Sequence, residues 1–301
     1  MKERPQFFGK DVQEQGGPMK RNWEQEFDAL ENGEISAASF SVGDLFTMAS
    51  ELAVSGKGGA KQKIYEQYIL SHPEITEDDK IRVSIYRADQ VRRSGDAQQA
   101  LDQLAATEPT SPIGQAEKLF VQSEAYLLQG HNEQALQTKE QLSKLSQEFA
   151  GEFPPDKPLY YLYGQIYTRF LVEGPSQRVA DDLERYRTVL DAASLDPAKK
   201  QYSEGAYYDL RGRFYKTSGD MVQARDTYGS YFESAPSPSI KTVAALEYLN
   251  AAWSADPTDR SDTTMKMLKY FQQGQAEMQP AYVQACQQEY DFVQTQIAKL
   301  G

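Results

Sequence analysis

Reactive side chains are scarce in this chain: its 301 residues include one cysteine, Cys286, and two histidines, His72 and His131. A single cysteine excludes an intramolecular disulfide and leaves structural zinc without its usual ligands. Cys286 therefore reads as a thiol in the final helix with no chemistry of its own. Both histidines fall at expected helix ends or turns, with no carboxylate or cysteine beside them at catalytic spacing, so they read as capping or exposed residues and not as bases. Nowhere do about eighteen apolar residues follow one another, and no apolar run stands behind Met1-Lys2-Glu3-Arg4-Pro5. Neither a membrane span nor a signal peptide is expected, and the predicted location is cytoplasmic, with membrane recruitment only through a partner. Cations are also short, at 32 Lys and Arg against 44 Asp and Glu, a net charge of −12. That balance argues against nucleic-acid binding, which needs a basic face. Gly56-Lys57-Gly58-Gly59 lacks both the spacing of a phosphate loop and the strand before it, and reads as an inter-helix turn. Without a nucleophile elbow, metal helix or dinucleotide fingerprint, an enzyme is not expected, and no catalytic, cofactor-binding or metal-binding residue is assigned.

What the chain does contain is one recurring spacing. Ala88 to Ala100, Ser123 to Ala135 and Gly212 to Ala224 each place a small residue twelve positions before an alanine, with Gly95, Gly130 or Gly219 between them. An amphipathic helix, a glycine turn and a second helix whose alanine packs on the first produce this pattern. The clearest copy runs from Gly205 to Pro236. Tyr208, Gly212 and Tyr215 share one helical face, Ser218-Gly219-Asp220 turns the chain, and Ala224, Tyr228 and Phe232 form the second face.

These residues resemble the tetratricopeptide repeat, with Arg211 where that family usually has leucine. Further copies use Ala88, Val91, Ala100 and Leu104, and Leu119, Ser123, Tyr126, Ala135 and Leu142. A weaker first copy uses Leu45, Ala49, Leu52, Tyr65, Tyr68 and Pro73, with Lys61 at the place of the packing alanine. A copy beginning at Tyr160, Gly164 and Tyr167 has an inserted-looking segment from Val172 to Ser176. Residues 239 to 273 keep apolar periodicity at Val243, Leu246, Leu249 and Trp253 without the signature, as a degenerate hairpin. A closing amphipathic helix from Ala281 to Leu300 is expected to cover the last face. The resemblance implies an all-α fold, a right-handed superhelix of about five or six hairpins with a C-terminal capping helix, over residues 39 to 301.

Residues 1 to 38, with Gly16-Gly17-Pro18 and few aliphatics, are expected to be flexible apart from one island. There Trp23, Phe27 and Leu30 lie at i, i+4 and i+7 and make a short apolar ridge. The ridge either packs as an N-terminal cap on its own array, docks on another protein, or has no role. It resembles the Trp-x-x-x-aromatic helices of peroxisomal import receptors, which implies a docking or transport-receptor function as one alternative. Cap signals elsewhere mark helix starts: Thr76 with Asp79, Asp196 before Pro197, and Ser261 before Asp262.

In the tetratricopeptide family the first helix of each hairpin lines a concave, partner-binding groove. Carried over residue by residue, that groove would be lined in the first copies by Phe46, Ser50, Arg82, Ile85, Asp89, Arg92 and Arg93. Glu117, Phe120, Glu124 and Leu127 follow, then Tyr161, Gln165 and Arg169, then Asp209, Arg213 and Lys216. A set mixing aromatics with arginines fits an extended peptide with acidic and apolar side chains; ordinary solvated side chains are the alternative. The carboxylate clamp of heat-shock co-chaperones is not implied, because Phe46 and Ser50 stand where its Lys and Asn would be. Over its whole length the chain also resembles the vesicle-coat epsilon subunit, through Asp44-Leu45-Phe46, Tyr86-Arg87-Ala88 and Glu289-Tyr290-Asp291-Phe292. The expected function is a non-catalytic adaptor or assembly subunit that binds a protein partner, with a structural subunit of a stable complex such as a vesicle coat as the alternative. No cofactor is expected.

Overall fold

The computed structural model describes residues 21–54, 56–235, 237–278, 283–284 and 286–299. Gly16-Gly17-Pro18, Pro236, Ala281 and Leu300, singled out in the sequence, lie outside these residues. Among the described residues there is no strand, and the architecture is all-α. A leading helix α1 (Trp23–Glu31) precedes six helical hairpins among them. These pair α2 (Val42–Val54) with α3 (Gly58–Lys63), α4 (Glu77–Arg93) with α5 (Ala97–Ala105), and α6 (Pro112–Leu128) with α7 (Asn132–Glu148). They continue with α8 (Lys157–Glu173) and α9 (Gln177–Ala192), α10 (Pro197–Thr217) and α11 (Met221–Ser234), and α12 (Pro238–Ala255) and α13 (Asp262–Gly274), before a last helix α14 (Gln287–Ala298). Where the sequence predicts one array from residue 39 onward, these helices group into two compact units, α1 to α7 and α8 to α14. Pro154 and Pro155, which no helix can continue through, stand in the connection.

The turns are built as their residues dictate. Gly95, Gly130 and Gly219 have φ of 101°, 75° and 83°, a left-handed conformation that closes a helix only cheaply for glycine. In each copy the amide after the glycine donates back to the helix: Asp96 to the Val91 carbonyl (3.2 Å), His131 to Tyr126 (2.9 Å) and Asp220 to Tyr215 (3.0 Å). Asp96 and Asp220 then serve the next helix as well, accepting from the Gln99 and Gln223 amides at 2.9 and 3.0 Å. Three expected helix starts are present: Thr76 and Asp79 form a reciprocal capping box, and Asp196 and Ser261 cap α10 and α13.

Packing follows the repeat. Ala100, Ala135 and Ala224 are fully buried. Gly212 meets the ring of Tyr228 so closely that a Cβ there would lie 2.5 Å from Tyr228 Cε1. The small residue of the first helix is thus a seat for an aromatic ring of the second. The fourth hairpin departs where the sequence does: α8 runs to Glu173 before Gly174 turns the chain, and Ser176 caps α9. In the first hairpin α3 widens into a π turn, Ile64–Ile69, and Lys61 places its ammonium 5.6 Å from the Tyr65 ring and 5.3 Å from the Tyr86 ring. A cation on two aromatic faces replaces the missing alanine.

Gly212→Ala should overpack the α10–α11 contact, and Ala224→Leu should do the same one turn away, each lowering stability by about 1–3 kcal/mol. Chemical denaturation measures the loss; an unchanged midpoint for both variants would refute the register.

Candidate functional site

The candidate groove residues sit on first helices, but the structure engages them internally. Phe46 is buried, edge-on to Tyr65 at 5.2 Å, with the Arg82 guanidinium stacked 3.7 Å over its ring. Arg82 is half-buried and forms a bidentate pair with Glu117 across α4 and α6, at 2.9 and 2.8 Å. Burial alone would lower the Arg82 pKa, but the Glu117 hydrogen bonds and charge outweigh it and raise it. Ile85 is 2% exposed and belongs to the core with Ala88, Leu104 and Val121, against which Phe120 packs from a half-buried position. Asp89 accepts from Arg92 at 2.8 and 2.9 Å and from Arg93 at 2.7 Å. Of that trio only Arg93 is well exposed, at 60% of its side chain.

The same holds in the second unit. Tyr161 is buried, edge-on to Phe153 at 6.3 Å. Arg169 is 5% exposed and donates to Asp182 of α9 at 2.7 Å, which also accepts from Gln165 at 3.0 Å. Arg213 pairs with Asp209 at 3.0 Å, both buried. Lys216 reaches two carboxylates at 2.8 Å, Glu247 of α12 and Glu289 of α14, and so ties the last helix to the stack. Burial opposes its charge, but the two glutamates outweigh that effect and raise its pKa. Phe46, Ile85, Tyr161, Arg169 and Arg213 are therefore not solvated groove positions; close hairpin stacking turns the inner face into a polar core. The matching carboxylates Asp182, Glu173 and Glu247 carry no sequence signal, and Glu289 stands out in the sequence only through Glu289-Tyr290-Asp291-Phe292, not as a partner of Lys216. Lys139 does: it falls among the buried positions of α7 and pairs with Glu124 at 2.6 Å.

The apolar ridge near the N-terminus lies on this chain. Phe27 and Leu30 are buried against α2 and the π turn, with Trp23 packed beside them. Both ends of α1 are fixed by charge. Arg21 pairs with Asp44 at 2.9 Å and lies 5.0 Å over the Trp23 ring, while Glu31 accepts from Lys63 and from the Tyr68 hydroxyl. The apolar ridge of Trp23, Phe27 and Leu30 is thus occupied by contacts within this chain.

His72 is not the exposed or capping residue expected. It is 3% exposed, its Nε2 lies 3.0 Å from the Phe40 carbonyl and its Nδ1 accepts from the Glu74 amide at 3.1 Å. That pattern requires the tautomer protonated on Nε2, and it clips the start of α2 to the turn before α4. Cys286 is buried at the start of α14. Gly56 turns the chain at φ 92° and α3 begins at Gly58, as the inter-helix reading requires. Among the described residues no group of His, Cys, Asp and Glu is placed to hold a metal, and no helix is long and apolar enough to cross a membrane.

No family model and no curated protein matches this chain. Among solved structures it is similar to the nearly identical TPR-like repeats of a Podosopora anserina protein described as a kinesin light chain, at 16% identity and a TM-score of 0.49, covering 68% of this chain and 100% of that one. A form of the same repeats carrying a substitution to methionine gives 16% identity, a TM-score of 0.47 and coverage of 68% and 98%. Overlap this partial decides nothing about activity or partners. The reading as tetratricopeptide-like hairpins rests on the glycine turns and on Gly212, Ala224 and Tyr228.

Removing one member of a buried ion pair strands the other. Lys139→Met should cost about 3–5 kcal/mol, and the double variant with Glu124→Leu should regain most of it. Equal loss in the two proteins by urea denaturation would show that the pair is not what holds α7 on α6.

The α1 contact should also depend on acid. Hydrogen bonds from Lys63 and Tyr68 hold the Glu31 carboxyl below its ordinary value of 4.5. Burial pushes Asp44 up, but bonds from Arg21 and Ser41 outweigh it and lower it from 3.8. Carboxyls depressed on folding stabilise fully above their unfolded pKa, and that stability is lost as pH falls through the lower folded values. In a Trp253→Phe chain, Trp23 fluorescence should therefore be constant from neutral pH to about 4.5 and shift below it. A Glu31→Gln chain should lose that part of the shift, and an identical titration would disprove the link.

Proposed function

We propose that this chain is a non-catalytic scaffold that binds a protein partner. The observation that supports this most is the disposition of its ionisable groups. Four of the less exposed pairs join different helices, Arg82–Glu117, Lys139–Glu124, Arg169–Asp182 and Lys216–Glu247, while Arg213–Asp209 and Asp89 with Arg92 pair within one helix, and all serve packing. A hairpin stack held this way presents rigid helical faces, the property such repeats use for recognition. In the first unit the exposed positions of the proposed first-helix surface are Ser50 and Arg93, and Phe120 and Leu127 beside Arg93 are half-buried apolar side chains. An acidic peptide would meet Arg93 at the expense of Asp89, so the apolar side chains would contribute the larger share of affinity. Cytoplasmic residence belongs to this proposal.

A second reading, a structural subunit of a stable complex such as a vesicle coat, is favoured by the internal neutralisation of the first-helix cations. It needs no peptide groove and uses a broad, permanent interface. Affinity capture with mass spectrometry separates the two. A chain with Arg93→Glu and Phe120→Ala, checked for native helicity, should recover the adaptor's partner about tenfold less well. Undiminished recovery would place the interface elsewhere and leave the stable-complex reading.

A further inference from the structure

One cleft in the second unit has a composition unlike the inner faces. It opens along the outer side of α11 and encloses about 850 Å³ between α10, α11, α12 and the start of α13. Gly229 opens its floor onto the ring of Tyr248, which lies 3.6 Å from where a Cβ would stand, and Tyr208 forms a wall. Carboxylates come from Glu204, Asp226 and Glu233.

The cations around the cleft already have partners. Arg225 directs Nε and Nη2 to the same oxygen of Asp226, at 2.8 and 2.7 Å. Lys266 pairs with one oxygen of Glu233 at 3.0 Å, and Arg187, whose charge interacts with Glu204, is bound by Asp191 at 3.0 Å. The Ser230 and Ser234 hydroxyls donate to backbone carbonyls of α11 at 3.3 and 3.0 Å, which leaves their lone pairs facing outward. Among the described residues, the Glu204 carboxylate and the second oxygens of Asp226 and Glu233 accept no hydrogen bond. Arg225 keeps further N–H groups, and the tyrosine phenols and Thr263 add donors, but the lining holds the carboxylates of Glu204, Asp226 and Glu233 against this single guanidinium, between two aromatic rings, so its balance is acidic. A guanidinium or ammonium supplies several donors and a positive charge, and can stack on tyrosine.

We propose that this cleft takes arginine or lysine side chains of an extended segment of a partner protein. The proposal rests on the scaffold reading and adds the surface and the chemistry of the partner. Glu204 and Glu233 bind the cationic head groups, and Tyr208 and Tyr248 flank the stems. The cleft runs along the second helix α11, with Glu204, Tyr208 and Tyr248 supplied by the first helices α10 and α12, and it shares no residue with the groove positions whose arginines are already paired.

The test uses the full chain and a fluorescein-labelled peptide of alternating glycine and arginine, read by anisotropy at physiological salt. Saturable binding is expected. Glu204→Gln with Glu233→Gln should raise Kd about tenfold. Glu133→Gln with Glu148→Gln, an equal charge change at exposed positions of α7, should change it less than about twofold. Equal weakening by both pairs would reduce the binding to bulk attraction by an acidic protein and overturn the proposal, as would an unaltered chain that shows no saturation. Failure of the scaffold reading is distinct, because the unaltered chain would then capture no partner protein whatever this peptide does.

Discussion

The hairpins depend on how closely two helices can approach. At Gly212 the backbone of α10 comes near enough for the Tyr228 ring to lie directly on it, and no side chain other than hydrogen leaves that room. Once the ring is seated, Ala224 falls at a position with no exposure, and Tyr231 and Phe232 are directed into the core shared with α12 and α13. Stacking of neighbouring hairpins follows, because α12 is then buried on nearly every side. Its one acidic residue, Glu247, is fully buried there and pairs with Lys216.

Charge is distributed by depth. The chain carries a net charge of −12, yet its least exposed arginines and lysines each face a carboxylate within hydrogen-bond range. Burying either charge alone would cost several kcal/mol, so the pairs fix which helix lies beside which more than they add stability. The negative surplus is left at the surface, where it suits solubility and encounter with basic partners. A face whose cations are internally neutralised is a weak receptor for acidic peptides, whatever its composition implies.

Much of the fold could be read from the sequence because its signals are local. A glycine that must turn left-handed, an aspartate that caps the next helix and an alanine twelve residues after a small residue act within one hairpin, and Ser218-Gly219-Asp220 combines the first two. The candidate site was less legible because it depends on neighbours far along the chain. Arg169 has the same spacing whether it meets solvent or Asp182, and no local pattern links Lys216 to Glu247 or Glu289 as its partners. His72 reads as a turn residue in the sequence because its partner, the Phe40 carbonyl, is backbone and carries no side-chain signature. Lys61 is an exception visible in the sequence, but its remedy, a π turn with two aromatic faces near the ammonium, is a three-dimensional solution. The cleft outside α11 is a property of volume and of unused lone pairs, which periodicity does not encode.

The Ser-Gly-Asp turns have a mechanical consequence. Each closes one helix and opens the next within three residues, so a hairpin's contacts span only a few tens of positions along the chain. Pulled from its ends, such a polymer need not rupture across its whole length at once. It can peel by single hairpins and re-zip them, because each retains the means of its own reversal. A chain of this kind behaves under load as a series of short springs, with α14, joined to α10 and α12 through Lys216, as the catch that must open before the last of them extends.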